Sequence, residues 1–476
     1  MEHIVFLTGR LAQPSLEKVL AGIDPPLFSW EVREIGLQVA GLMTADLIRR
    51  RVPAPVVADR IMVPGRCRGD LDALSGHYGL PVVRGPDELK DIPRHFDRAA
   101  QGVDLSCFDT RIFAEIVDAS TLPVAGIVER ARRLASNGAD VIDLGCLPAT
   151  PFPHLEESIA ALKAEGYRVS VDSLDADELL RGGRAGADYL LSLTPDTCWI
   201  ADEVASTPVL IAREPSDEAA LYALIDDFAV RGRPFLADSI LDPIPFGLLA
   251  SLGRYQRLRG RYPEVDIMMG IGNLTELTEA DTSGINAVLL GIAAELRAAA
   301  VLTTEVSPHA RRAVREADIA RRVMFAAREN QSLPKGYSDA LMTIHERRPF
   351  PDDADDVARN AAAVKDPNFR VQVSPQGIHV YNRDGLHCDT DPFELYPRLA
   401  LDDDAGHAFY MGVELARAEI AWQLGKRYVQ DRPLDWGCAF DHAEEDLLRH
   451  RAPGTTMRGR RRASTTEDGN ANAQNS

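Results

Sequence analysis

Between about residue 111 and residue 330 the chain alternates short apolar runs with amphipathic stretches, and this alternation limits the fold more than any single motif. Strand candidates lie at 112–117, 140–144, 169–171, 189–193, 208–212, 235–237, 266–269 and 299–302. Helical patterns separate them at 124–137, 155–165, 175–185, 217–231, 246–262, 283–295 and 309–328, the last with an alanine-rich stripe opposite a face of arginines. Eight strands in this alternation, with a short irregular link after 193, predict a closed (β/α)8 TIM barrel near its lower size limit, with a doubly wound open sheet as the alternative; the count of eight favours the barrel. Three of the strands run into an acid or amide: Val171-Asp172-Ser173, Leu241-Asp242-Pro243 and Gly270-Ile271-Gly272-Asn273. Because barrel chemistry sits on the loops after the strands, Asp172, Asp242 and Asn273 are expected to face one pocket.

The flanks read differently. Residues 1–108 are expected to form an amino-terminal α/β domain, with strands near 4–7, 55–58, 59–63 and 81–83 and a helix over 30–50. Its loop Pro64-Gly65-Arg66-Cys67-Arg68-Gly69-Asp70 opens a helix, and Arg66 and Arg68 there are candidates for holding an anion, against the plainer reading of a solvated turn. The barrel takes 109–330. A connecting arm rich in Pro, Asp and Arg covers 331–367, and a small α+β domain follows over 368–451, with a hairpin turning at Ser374-Pro375-Gln376-Gly377 and a helix over 407–429. Residues 452–476 are almost devoid of apolar side chains and are expected to be disordered.

Charge narrows the partners. The 476 residues carry a formal net charge of −19, which disfavours nucleic acid because polyanion binding rests on Lys and Arg meeting phosphates. No apolar run approaches a membrane span, and the start of the chain lacks a secretory pattern. The six cysteines are scattered and none are at metal-ligand spacing. The expectation is a cytoplasmic protein with reduced thiols and a small-molecule ligand.

Read in order, the strand ends supply Asp118, Cys146, Asp172, Ser192, Arg213, Asp238 or Asp242, Asn273 and Glu305. No histidine is among them, so triad hydrolysis is not expected, and a transition metal would normally recruit His or Cys. Acids flanked by apolar strands suit a neutral heterocycle with N–H donors on its edge. A pterin has such an edge, whose 2-amino group and ring N–H one carboxylate can accept together. Helix capping is the competing role for such acids, and Asp175 and Thr282 read as caps.

Gly138-Ala139-Asp140-Val141-Ile142-Asp143-Leu144-Gly145, Val171-Asp172-Ser173, Gly186-Ala187-Asp188 and Asp242-Pro243 resemble successive signatures of the pterin-binding barrel superfamily, which includes dihydropteroate synthase and the methyltetrahydrofolate:corrinoid methyltransferases. Gly272-Asn273 with Gly284-Ile285-Asn286 is similar to elements of the methyltransferase branch. Across roughly residues 1–440 the chain most resembles the dihydropteroate synthase-related proteins of organisms that use tetrahydromethanopterin, and Ile271-Gly272-Asn273-Leu274-Thr275-Glu276-Leu277 is the most specific element of that match. The resemblance implies a barrel of the pterin-binding type, with Asp172, Asp242 and Asn273 holding the pterin, Ser192 and Asp118 lining the same pocket, and Asp143 supporting the barrel floor. It also implies a transferase in one-carbon metabolism, and a homodimer, since such barrels are often dimers.

The departures bear on the reaction. Synthases carry Glu-Ser-Thr-Arg-Pro after the second strand, where this chain has Leu147-Pro148-Ala149-Thr150-Pro151. Asp118 stands in place of an asparagine, Gly272-Asn273-Leu274 in place of Ser-Arg-Lys, and Thr303-Thr304-Glu305 in place of Arg-x-His. A diphosphate would therefore have to be met by Arg213, Lys335, Arg66 or Arg68, together with Mg²⁺. Three readings stand: a synthase-like condensation of a hydroxymethyl-dihydropterin diphosphate with an arylamine, a non-catalytic pterin carrier, and a pterin-dependent methyltransferase. The last lacks a cobalamin-binding Asp-x-His-x-x-Gly motif of its own.

Overall fold

The computed structural model describes residues 1–23, 26–93, 95–96 and 104–441, so the expectation for 452–476 lies outside the described residues. Four strands, β1 (His3–Thr8), β2 (Ser29–Glu34), β3 (Arg60–Val63) and β4 (Val82–Arg84), form a parallel sheet in the order β2-β1-β3-β4. Apolar side chains alternate across β1. Ile4 and Phe6 pack on one face with Leu16, Leu20 and Phe28, whereas Val5 and Leu7 pack on the other with Ile48, Leu74 and Tyr78.

The helix expected over 30–50 is not there. Ser29–Glu34 pairs in register with all of β1, and after a 3-10 turn at Ala40–Leu42 only Ala45–Arg51 is α-helical, opened by the Thr44 hydroxyl, which accepts from the Leu47 N–H. The apolar spacing from Val32 to Leu47 mimicked a helical stripe. The strand wins because its backbone completes the sheet, and Gly36 at φ 79° then turns the chain out of it. The expected strand at 55–58 is likewise loop.

The eight middle strands are β5 (Arg111–Ile116), β6 (Val141–Gly145), β7 (Arg168–Asp172), β8 (Tyr189–Leu193), β9 (Thr207–Leu210), β10 (Leu236–Ala237), β11 (Met268–Gly270) and β12 (Ala300–Thr304). All neighbours pair in parallel, in the order β10-β9-β8-β7-β6-β5-β12-β11, and a parallel bridge between Ala237 and Ile267 joins the two ends into a barrel. Helices alternate with the strands, as the sequence predicts. The period of two divides each strand. Ile112, Ala114 and Ile116 of β5 face the helix layer, as do Ile142, Leu144, Val169 and Val171. Phe113, Val141, Tyr189, Leu191, Val209, Leu236, Met268 and Ala300 fill the inside. The lower barrel is thus a packed plug, and the interior positions above it are open to other chemistry.

Beyond the barrel, β13 (Arg370–Ser374) and β14 (Gly377–Asn382) form the expected hairpin, and a third antiparallel strand, β15 (Gly385–Asp389), extends it. The long helix runs over Ala405–Leu424 and ends at Gly425 in the left-handed region, φ 60°. A shorter helix, Ala354–Ala363, begins with a reciprocal capping box of Asp353 and Asp356. The chain divides into two compact units: Asp97–Thr343 with Trp436–Asp441 makes up the barrel unit, and the described parts of Met1–Phe96 and Ile344–Asp435 make up the other. Among the described residues, no helix is long and apolar enough to cross a membrane.

Candidate functional site at the barrel mouth

Above the apolar plug, inward positions turn acidic. Two residues after Phe113 comes Glu115, two after Val141 comes Asp143, and Asp172 ends β7. Register brings them together: Glu115 is the partner of Asp143, Asp143 of Ser170, and Gly145 of Asp172. Gly145 is required beside them, because a Cβ there would lie 2.5 Å from Glu115 Oε1 and 2.9 Å from the Val117 backbone. One carboxylate oxygen from each of Glu115, Asp143 and Asp172 lies within 4.8 Å of the others. Asp143 is fully buried with the Ser170 hydroxyl beside it, close enough to lower its pKa slightly but not aligned in a hydrogen bond, and neither group has another partner.

Such a trio cannot be fully ionised. Burial, then the charges of Asp172 and Glu276, raises Glu115 to about 7. Burial, then Asp238, raises Asp172 to about 7. Asp143 is pushed well above the usual carboxylate range by burial first and then by Asp172 and Glu115. Each effect disfavours the charged form, so near neutral pH the cluster holds protons that a cation or a donor-bearing ligand can replace. The donor set is all oxygen, which suits a hard divalent cation such as Mg²⁺ as well as N–H donors.

The other side of the mouth is satisfied. Asp242 pairs with Arg254 at 2.8 Å, and the same guanidinium donates to the carbonyls of Ser239 and Ile240. Gly247, at φ 137°, leaves room for the Asp242 carboxylate, which a Cβ there would meet at 2.9 Å. Asp238 accepts from the Tyr255 hydroxyl at 2.5 Å and the Ile240 N–H at 2.7 Å, yet burial still raises it to about 6. The Asn273 amide donates to the Leu241 carbonyl at 2.8 Å, which ties the loop after β11 to the one after β10.

The remaining expected residues are placed as follows. Asp118 follows β5 and pairs with Arg130 at 2.5 Å. Ser192, half-buried, lies within β8 where its pairing with β9 is irregular. Arg213 is exposed and already paired with Asp196. Lys335 is exposed after the last barrel helix, whereas Arg66 and Arg68 belong to the other unit. Asp175 caps the helix Ala176–Arg184 as expected, but the cap position expected at Thr282 is occupied by Asp281, and the Thr282 hydroxyl instead donates to the His309 carbonyl at 3.4 Å. Asn286 is buried on an outer helix and donates to Glu316. A cavity of about 740 Å³ opens between the loop 146–153 and the start of the Asp175-capped helix. Its Arg181 is bound to Glu156.

Sequence reasoning missed Glu115 and misplaced Asp143, which joins the acid cluster. The signal was a lone Glu at an inward position of an otherwise apolar strand, with Asp143 at the matching inward position of the next.

Residues 2–87 match a family of unknown function, DUF6513. An uncharacterized protein of Methanocaldococcus jannaschii is 24% identical over 526 residues, covering 90% of this chain and 98% of that protein. Among solved structures, the Yersinia pestis dihydropteroate synthase bound to a pterine-sulfa conjugate is 17% identical, with a TM-score of 0.36, over 48% of this chain and 95% of that one. The Vibrio fischeri 7,8-dihydropteroate synthase is 14% identical, with a TM-score of 0.36, over 48% and 96%. The Anaplasma phagocytophilum synthase with 6-hydroxymethylpterin-monophosphate is 16% identical, with a TM-score of 0.35, over 45% and 98%.

Proposed function

We propose that the barrel mouth binds a pterin and that the protein serves tetrahydromethanopterin biosynthesis. The observation that carries this reading is the trio Glu115, Asp143 and Asp172, drawn together within 4.8 Å with Asp143 unpartnered. Three carboxyl groups this close stay partly protonated, and a ring edge offering two adjacent N–H groups lets one of them ionise. Asp172, at the end of its strand, accepts the paired donors, while Glu115 and Asp143 retain the protons left over. Asp242 and Asn273 border the ring from the satisfied side, with Ser192 and Asp118 further along the rim. The sequence signatures around Asp143, Asp172 and Asp242 support the same ligand class.

The reaction we propose is condensation of a hydroxymethyl-dihydropterin diphosphate with an arylamine, whose nitrogen displaces diphosphate at the methylene carbon. Mg²⁺ would neutralise the leaving group, and Arg213 and Lys335 are the cations this chain offers. A specific observation favours the second reading, a pterin carrier. Arg130, Arg181, Arg213 and Arg254 each already face a carboxylate, so a diphosphate would have to exchange those pairs.

Titration of the full chain with 6-hydroxymethyl-7,8-dihydropterin tests the ligand. Saturable binding weakened more than tenfold by Asp172→Asn is expected, and wild-type binding at the same level as the variant would discard the reading. Release of diphosphate in the presence of 4-aminobenzoate then selects condensation, and tight binding without release selects the carrier.

A further inference from the structure

The amino-terminal sheet carries a second place where a ligand belongs. Its order, β2-β1-β3-β4, sends the first connection to one side of β1 and the next to the other. The loops after β1 and β3 therefore part, and open α/β sheets bind ligands in the crevice at such a switch point, beyond the carboxyl ends of the strands. A cavity of about 370 Å³ occupies that crevice, lined by Thr8 at the end of β1, by Leu11 and Leu16, by Met62 of β3, and by Arg66 and Glu88 from the loops after β3 and β4. This volume falls in the range of small-molecule sites.

The chemistry of the walls is mixed in a particular way. Leu11 and Val39 on the rim are 55% and 40% exposed, which leaves apolar surface uncovered at the entrance. Arg66 lines the cavity, and its buried Nε has no hydrogen-bond partner. Asp87, which also lines the cavity, is engaged by Arg432 at 2.7 Å, and nearby Asp91 by Arg427. Burial pushes Glu88 upward, towards its neutral form. One unpartnered cation set in an apolar wall selects a ligand of complementary form. Glycine at 65 keeps the loop close, since a Cβ there would meet the Asp87 backbone at 2.7 Å.

We infer that this cavity is a binding site for a small aromatic monoanion, of the class of an arylsulfonate, with its anionic group on Arg66 and its ring against Leu11, Leu16 and Met62. The site is independent of the barrel mouth and of the reaction proposed there.

The probe is 8-anilinonaphthalene-1-sulfonate, titrated by fluorescence into the full chain, with the uncharged N-phenyl-1-naphthylamine as its counterpart. Saturable binding is expected, weakened at least tenfold by Ser15→Trp, which fills the rim from an exposed helix position. Arg66→Gln is expected to weaken the sulfonate at least fivefold while leaving the uncharged probe within twofold. Asp172→Asn should change neither. Sulfonate binding unchanged in Ser15→Trp would overturn the site, and equal effects of Arg66→Gln on both probes would overturn the anionic assignment. Unaltered circular dichroism and melting temperature of the two variants exclude misfolding as the cause of any loss.

Discussion

The two sides of the barrel mouth are built from the same residue types and end in opposite states. Around β5, β6 and β7, three acids lie together, and Asp143 has no partner; around β10 and β11, Asp242 has Arg254, Asp238 has Tyr255, and Asn273 has a carbonyl. A carboxylate at a strand end can thus be part of the wall or an open valence, and the strand end alone does not distinguish them. What distinguishes them is whether a neighbouring helix delivers a donor. The helix Leu248–Arg261 carries both Arg254 and Tyr255 to one side, whereas no lysine or arginine is paired with the other trio among the described residues.

The comparison is broken most directly by Arg254→Met. Removing a nearly buried guanidinium leaves Asp242 and two carbonyls without their donor, and a loss of about 3–5 kcal/mol in unfolding free energy by urea denaturation is expected. A near-neutral result would mean that the satisfied side does not hold the fold. Asp143→Asn should do the reverse and raise the unfolding free energy at pH 8, because the native state no longer has to keep a carboxyl protonated. Loss of stability at that pH would show that the cluster is held ionised by something bound.

The sign of the pH dependence follows from the same cluster. Glu115 and Asp172 have folded-state values of about 7, above their ordinary ones, so the native state binds more protons than the unfolded chain in between. Their contribution favours folding fully below about pH 4 and is lost as pH rises through about 7. Melting temperature should therefore fall between about pH 4 and pH 7, level off above that, and fall less in Asp172→Asn. Pterin affinity should run the other way, strengthening as pH rises through about 7 and Asp172 becomes an acceptor. A flat profile for both would contradict the raised values. The smallest effect is expected for Asn273→Ala, which gives up one hydrogen bond from an exposed side chain, about 1 kcal/mol or less, with pterin affinity changed less than fivefold.

Much of this was legible in the sequence. Period two in the strands and the even spacing of units gave eight strands, and Val171-Asp172 and Leu241-Asp242 marked real strand ends and loops. The missing part has a physical cause. That Asp242 is paired depends on Arg254, twelve residues beyond it on a helix whose orientation the pattern does not encode. Glu115 lies inside its strand rather than in the loop after it, yet in a closed sheet the last inward position within a strand reaches the same space. At the amino terminus, spacing from Val32 to Leu47 read as a helix because a strand followed by a short helix can imitate a 3.6-residue stripe.

Barrel closure rests on a narrow seam. Strand β10 has two residues, and its link to the chain before β11 is a single bridge at Ala237–Ile267, with the Ala237 N–H on the Asp266 carbonyl. Amide protons along this line should exchange with solvent before those of β5–β7, since few bonds need to break for the seam to part. The Asp242–Arg254 pair and the Asn273 strap from one side of the seam to the other sit directly beyond it. Of the two, the Asn273 bond crosses the seam as a clasp, so Asn273→Ala is expected to speed amide exchange at Ala237 and Ile267 even where it barely changes global stability.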